Sequence, residues 1–319
     1  MKRVVVTGAT GFVGANLTRR LLRDGYELHL LLRPDHAMWR IEDVCRDVRL
    51  HMADLADRDA VNDAIRHIKP EWVFHLAAHG AYSWQTGLPE IVQTNIVGTM
   101  NLVEAAAAAG VEVLVNTGSS SEYGYKDHAP SETELVEPNS YYAVTKATAT
   151  MFCRFTAEKH GIRMPTLRLY SVYGPFEEPR RLVPSLIVNG LRSRLPPLAN
   201  PDTARDYVFV ADVLDAFLRA ATTELPHPGA VYNVGTGIQT SLREIVDLTR
   251  DMLDVAESPG WGSLPDRAWD TSIWRADPSR IRADLGWSPR HDVRSGLAQT
   301  ISWFKENASL RDFYARQMS

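Results

Sequence analysis

TGATGFVG, residues 7–14, follows the apolar run RVVVT (3–7) and opens a stretch in which Val13, Leu17 and Leu21 recur four apart. A strand, a glycine turn and an amphipathic helix in that order begin a β-α-β unit. Gly8, Gly11 and Gly14 leave room for a tight turn, for the main chain to approach a pyrophosphate, and for the helix to sit close on the strand. Amides at the helix N-terminus then face the phosphate charge. The spacing is Gly-x-x-Gly-x-x-Gly, where Gly-x-Gly-x-x-Gly is commoner. A structural glycine turn is the bland alternative, and the flanking strand and helix argue against it.

The rhythm continues along the first half. Further strand-length runs are ELHLLL (27–32), VRLHM (48–52), WVFHLAA (72–78), EVLVNT (112–117) and RMPTLRL (163–169), with helical patterns near 57–69, 90–109 and 141–160 between them. Near-continuous apolar strands alternating with helices predict an α/β fold, a doubly wound parallel sheet of Rossmann type. After about residue 170 prolines and arginines thicken, and five of the eight tryptophans fall between 261 and 303. We expect residues 1–170 to form the dinucleotide-binding domain, with segments near 206–236 rejoining it; AVYNVG (230–235) reads as a strand returning to the main sheet. Residues 171–205 and 237–319 then make a smaller, interleaved substrate-binding portion. Gly110, closing AAAAAG (105–110), is the expected helix C-cap.

Composition removes several function classes. The chain has 319 residues, 45% of them hydrophobic, enough for a sizeable core. A net charge of -4 gives no basic field for nucleic acid. The two cysteines, Cys45 and Cys153, show no metal or disulfide spacing. The N-terminus runs straight into the glycine turn without a signal peptide, and no run approaches the ~20 apolar residues of a membrane span. A cytoplasmic enzyme is the expectation.

Two further motifs carry chemistry. Tyr142 and Lys146 stand four apart at the start of a helical stretch, which puts both on one face. A free phenol titrates near ~10, and a neighbouring ammonium is expected to lower that value into acid–base range. Tyr141 has Thr145 in the equivalent place and lacks this partner. Tyr-x-x-x-Lys alone also turns up on helices by chance. GSSSEYG (118–124) lies just past the fifth strand, where parallel sheets present ligands, although serine-glycine clusters are commonly turns.

In combination and order these motifs resemble the extended short-chain dehydrogenase/reductase family, which contains nucleotide-sugar epimerases, dehydratases and 4-ketoreductases. The resemblance spans nearly the whole chain. It implies that Gly8, Gly11 and Gly14 hold the dinucleotide, that Asp54 and Leu55 meet the adenine, and that HLAA (75–78), with Ala77, closes the fourth strand beside the cofactor. Asn95 matches a structural asparagine. Counting back from Tyr123-Gly124 places the catalytic hydroxyl on Ser119, and Tyr142 and Lys146 match the catalytic pair, Lys146 also gripping the nicotinamide ribose. Arg205, in ARDYVFVADV (204–213), and Arg267 are implied to hold the substrate diphosphate. Ser120, Ser121 and Ser171 fall at substrate-contacting places.

The departures are informative. Dehydratases of the family carry acidic residues where this chain has Ser120 and Ser121; Glu122 is near but displaced by one. Ser171 stands where asparagine is usual. At the end of the second strand Leu32 takes the place of the acid that holds the NAD ribose, and Arg33 follows, suited to a 2′-phosphate. NADP(H) is therefore the expected cofactor, with NAD(H) the alternative. The expected reaction is reduction of a nucleoside-diphosphate 4-keto hexose: hydride to C4, a proton from Tyr142 and a hydrogen bond from Ser119. A 4-epimerase using NAD is the rival, ahead of a 4,6-dehydratase. A non-catalytic dinucleotide sensor would not need the acid–base pair. His75 and His79 are read as unrelated to each other and to metal, and the C-terminal tryptophans as packing. The helices at 90–109 and 141–160 are apolar on several sides (Leu102, Val103, Met151, Phe152), and the resemblance, to a family that often pairs through such helices, implies a homodimer.

Overall fold

Successive residues of a strand face opposite sides of its sheet, and in this chain both sides are apolar. Val4, Val6, Leu28, Leu30 and Leu32 join one buried cluster, while Val5, Leu31, Val73 and Leu114 join another on the opposite face. Such strands are stable only when helices cover both faces. The computed structural model describes residues 2–264 and 273–318, and this two-sided cover is what it shows. Seven strands, β1 (Arg3–Thr7), β2 (Glu27–Leu32), β3 (Arg49–Met52), β4 (Trp72–His75), β5 (Val113–Ser119), β6 (Thr166–Leu169) and a strand at Val231–Val234, form one parallel sheet. Its order is β3-β2-β1-β4-β5-β6, with Val231–Val234 paired outside β6.

The helices follow from caps and faces. The glycine turn leads into α1 (Phe12–Arg23), and Asp57 caps α2 (Arg58–Ile68) by accepting from the amides of Asp59 and Ala60. The helical stretch near 90–109 is interrupted. It comprises α3 (Leu88–Val92), a π-helical turn Gln93–Val97 and α4 (Gly98–Ala108), after which Gly110 adopts the left-handed conformation expected of it. Asn95 explains the interruption: its Oδ1 accepts the His79 amide (2.8 Å), and its Nδ2 donates to the His79 carbonyl (2.8 Å) and to Thr145 Oγ1 (2.9 Å). One side chain thus pins the loop after β4 to the next helix, α5 (Tyr141–His160).

Beyond β6 the chain builds smaller pieces. Ser171–Tyr173 pairs with Tyr207–Phe209, and Ala204–Arg205 with Thr240–Ser241, each as a separate two-stranded sheet. Most of the C-terminal aromatics pack as expected of core residues. Trp287 is fully buried, its Nε1 donating to the Asp212 carbonyl at 2.9 Å, and Trp303 lies against Phe176 and Phe304. Leu102 and Val103, read as available for a subunit contact, are instead fully buried against the sheet. The amphipathic reading missed this because α4 is apolar nearly all round. Among the described residues no helix is long and apolar enough to cross a membrane.

Candidate active site

Four neighbouring strands end at one edge, and the residues expected to hold a cofactor stand on those ends. The glycine turn follows β1, Arg33 follows β2, Asp54 and Leu55 follow β3, and Ala77 follows β4. Winding reverses between β1 and β4, the place where such sheets open a crevice. The turn itself fits a dinucleotide. Gly8 has a φ of +68°, and a Cβ there would lie 2.5 Å from the Ala77 nitrogen. A Cβ at Gly14 would meet the Gly8 carbonyl oxygen at 2.1 Å, so α1 rides on the turn. A Cβ at Gly11 would meet only that same oxygen, at 3.1 Å, which leaves its open side for a ligand to approach the main chain.

At the crevice rim Leu32 is buried in the core and offers no polar group, whereas Arg33 is exposed. The Arg33 charge is felt across the gap: after burial, it is the next cause holding the His79 imidazole below its ordinary range. Asp54 is exposed, with Oδ1 accepting the Ala56 amide at 2.9 Å, and the Leu55 carbonyl accepts from Asn101 Nδ2 at 2.8 Å.

The candidate catalytic group assembles beside this crevice. Ser119 is the last residue of β5 and caps a single 3-10 turn, Ser120–Tyr123. Its hydroxyl lies 2.7 Å from that of Ser121. Ser140 caps α5 by accepting the Ala143 amide at 3.2 Å, which fixes the helix start so that Tyr142 and Lys146 look inward while Tyr141 is 62% exposed. Burial pushes the Tyr142 phenol up to about 12, against a downward pull from the adjoining Ser119 hydroxyl. The sequence led us to expect a lowered value. Desolvation dominates at the phenol, and Lys146 is itself buried and held below the usual lysine range by desolvation.

The expected substrate residues are brought together in part. Ser120 lines a small cavity with Tyr123, Tyr170 and Trp274, and the Arg205 guanidinium stacks 4.6 Å over the Trp274 ring. Arg205 is thereby linked to the serine turn through one aromatic side chain. Ser171 opens the strand after β6, its amide donating to the Asp206 carbonyl at 3.0 Å. Arg267 lies outside the described residues. Glu122 does not face this cavity. It is fully buried and turned into the core, bonded to Arg168 Nε (2.9 Å) and Thr150 Oγ1 (3.0 Å), so it does not replace the dehydratase acids.

His75, read from the sequence as unrelated to His79, has a structural setting that the sequence did not show. It sits at the floor of the crevice between Thr7 Oγ1 (2.8 Å) and Thr99 Oγ1 (2.9 Å). Burial, and then the Lys146 charge, push its pKa down to about 3. The unfolded imidazole titrates near ~6.5, so acid protonates the unfolded chain first, and stability is lost as pH falls below that value. At pH 5 the loss amounts to about 2 kcal/mol by linkage. Urea titrations of wild type and His75→Gln at pH 7.5 and 5 should show the acid loss reduced by roughly that amount in the variant. Equal losses would mean that the imidazole is not the linked group.

Comparison with known proteins identifies relatives of the whole chain. The profile of the NAD dependent epimerase/dehydratase family matches residues 4–235. The UDP-glucose 4-epimerase of Mycolicibacterium smegmatis is 32% identical over 96% of this chain and 99% of its own. Among solved structures, the UDP-glucose 4-epimerase of Thermotoga maritima with UDP-glucose superposes with a TM-score of 0.87 at 26% identity, covering 96% of this chain and 99% of that one. The UDP-glucuronic acid 4-epimerase of Bacillus cereus, in complex with UDP-glucuronic acid and NAD, gives 0.84 at 26% identity, covering 95% and 99%. dTDP-glucose 4,6-dehydratases are also related, that of Streptomyces griseus being 29% identical over 96% of this chain and 95% of its own.

Proposed function

Because the chain belongs to the NAD dependent epimerase/dehydratase family, we propose that it exchanges hydride at C4 of a nucleoside-diphosphate hexose, and that its net reaction is reduction of the 4-keto sugar with NADP(H). The observation that carries the reading is the inward pair Tyr142 and Lys146 beside Ser119, set against a glycine turn whose open side is Gly11. The nicotinamide, when bound, supplies the hydride. Tyr142 gives its proton to the developing C4 alkoxide, Ser119 donates a hydrogen bond to the same oxygen, and Lys146 holds the ribose and stabilises the phenolate left behind. A phenol pushed up to about 12 stays protonated through neutral pH, the state that reduction requires. Ser120, Ser121, Ser171, Arg205 and Arg267 are assigned to the sugar and diphosphate, within the portion at 171–205 and 237–319 and the serine turn that borders it.

Net reduction, as against epimerisation, is favoured by Leu32 and Arg33. A buried leucine cannot accept the ribose hydroxyls, and the exposed guanidinium suits a 2′-phosphate. Dehydration is disfavoured because Glu122 is already bound to Arg168. The second reading, 4-epimerisation with NAD kept in place, is favoured by the relatives, which include UDP-glucose and UDP-glucuronic acid 4-epimerases. The two separate on the purified protein. Denaturation followed by identification of the released nicotinamide, then assays for NADPH oxidation with a 4-keto sugar nucleotide and for UDP-hexose interconversion, distinguish a consumed reductant from a retained cofactor. Tightly bound NAD with interconversion would give the second reading the place of the first.

The assembly we propose is a homodimer. Tyr141, Val144, Met151 and Phe155 are 62, 45, 59 and 63% exposed. Their spacing makes one apolar seam along α5. Light scattering should give twice the chain mass, and Met151→Glu with Phe155→Glu should halve it. A wild-type mass of one chain would refute the assembly.

A further inference from the structure

Glu122 is the one carboxylate on the serine turn, and the reaction as proposed does not use it. Its setting is unusually complete. The side chain folds back beneath β5, where Oε1 accepts the Ser119 amide at 2.8 Å and Oε2 accepts Arg168 Nε at 2.9 Å and Thr150 Oγ1 at 3.0 Å. Gly118 makes the space, since a Cβ there would lie 2.7 Å from Glu122 Oε1 and 2.8 Å from Thr166 Cγ2. Thr150 comes from α5, one turn beyond Lys146, so the carboxylate ties the strand end to the helix that carries Tyr142. Arg168, stacked 4.5 Å over the Tyr123 ring, has its charge balanced by this carboxylate alone among its described ion pairs.

We infer that Glu122 is a positioning residue for the Ser119, Tyr142 and Lys146 group: it fixes the Ser119 main chain from below, ties it to α5 through Thr150, and supplies the negative charge against which Arg168 is buried. The inference rests on the acid–base role proposed for Tyr142. Three donors satisfy the carboxylate in the core, where a charge is poorly screened. It acts on both partners. The charge raises the Tyr142 phenol, alongside burial and the Tyr82 phenol, while the Ser119 hydroxyl and the Arg181 charge oppose it. Lys146 feels Glu122 and the Cys153 thiol as the groups that favour its ammonium against burial, and Lys146 in turn acts on His75. Losing the negative charge therefore makes Tyr142 easier to ionise and Lys146 harder to keep charged.

The test reads Tyr142 directly, without sugar nucleotide. A fluorinated tyrosine is placed at position 142, where its more acidic phenol titrates while the protein is folded, and its 19F resonance is followed against pH. Wild type, Glu122→Gln and Glu122→Gln with Arg168→Met are compared; removing both members of a buried pair is commonly tolerated where removing one is not. The expected result is titration at lower pH in both variants, less displaced in the double variant because the Arg168 charge has gone too. A folded variant titrating at the wild-type pH would overturn the proposal. Failure of both variants to fold would overturn it as well, since Glu122 would then serve stability alone. Absence of turnover on every sugar nucleotide would strike the proposed reaction and leave this comparison standing.

Discussion

Tyr142→Phe should lower kcat for 4-keto sugar reduction by about three orders of magnitude, ~4 kcal/mol of transition-state stabilisation, with KM changed less than about threefold. The substitution removes one oxygen and keeps the ring, and the hydroxyl carries no hydrogen bond needed to hold β5 or α5, which are fixed by the Ser119 and Ser140 caps and by Asn95. On the proposed reading the diphosphate is held elsewhere, by Arg205, which stacks on Trp274. The loss should therefore fall on the step in which charge develops on the C4 oxygen, where a positioned acid contributes most. Lys146→Met should lower kcat as well and should also weaken cofactor binding, which Tyr142→Phe should not. Retention of wild-type kcat in Tyr142→Phe would remove the phenol from the mechanism and return the protein to the class of dinucleotide-binding sensors.

Much of this was legible in the sequence, for identifiable reasons. Most of the six strands up to β6 were found because they are apolar on both faces, and such runs are short, bounded and hard to mistake; β3, largely exposed, is the exception. The glycine turn and the Tyr-x-x-x-Lys step are local, so their geometry follows from helix and turn periodicity alone. What escaped depends on contacts far apart in the chain. Asn95 was legible as a structural asparagine, but not that it closes a gap between residues 79 and 145. His75 is buried by Thr7 and Thr99, which no periodicity brings together. The direction of the Tyr142 shift was misread because spacing reveals the ammonium and conceals the burial. Glu122 is the instructive case: Ser119-x-x-Glu122 is a capping-box pattern, and the turn it caps is present. Read that way, the sequence would have placed the carboxylate under the Ser119 amide rather than beside the substrate.

The second large effect concerns Arg33. Arg33→Ala should weaken NADPH binding about ten- to hundredfold, ~1.5–3 kcal/mol, while leaving NADH within about twofold. A guanidinium meets a phosphate dianion with paired donors, and the 2′-hydroxyl of NADH gives it no comparable charge to hold. Arg33 is exposed at the crevice rim, so its pairing is open to solvent and salt. The preference should accordingly be largest at low ionic strength and shrink as salt is raised. Arg33→Lys, which keeps the charge and loses the planar fork, should fall between wild type and Arg33→Ala. Leu32 makes the effect asymmetric: buried and apolar, it offers NADH no compensating carboxylate, so removing Arg33 should yield a poorer NADPH enzyme rather than an NADH enzyme. Equal affinity for both cofactors in the wild type, untouched by Arg33→Ala, would place the guanidinium in solvent. The resident-NAD epimerase of the second reading would then be the better description of how Tyr142 is used, as a base first and an acid afterwards.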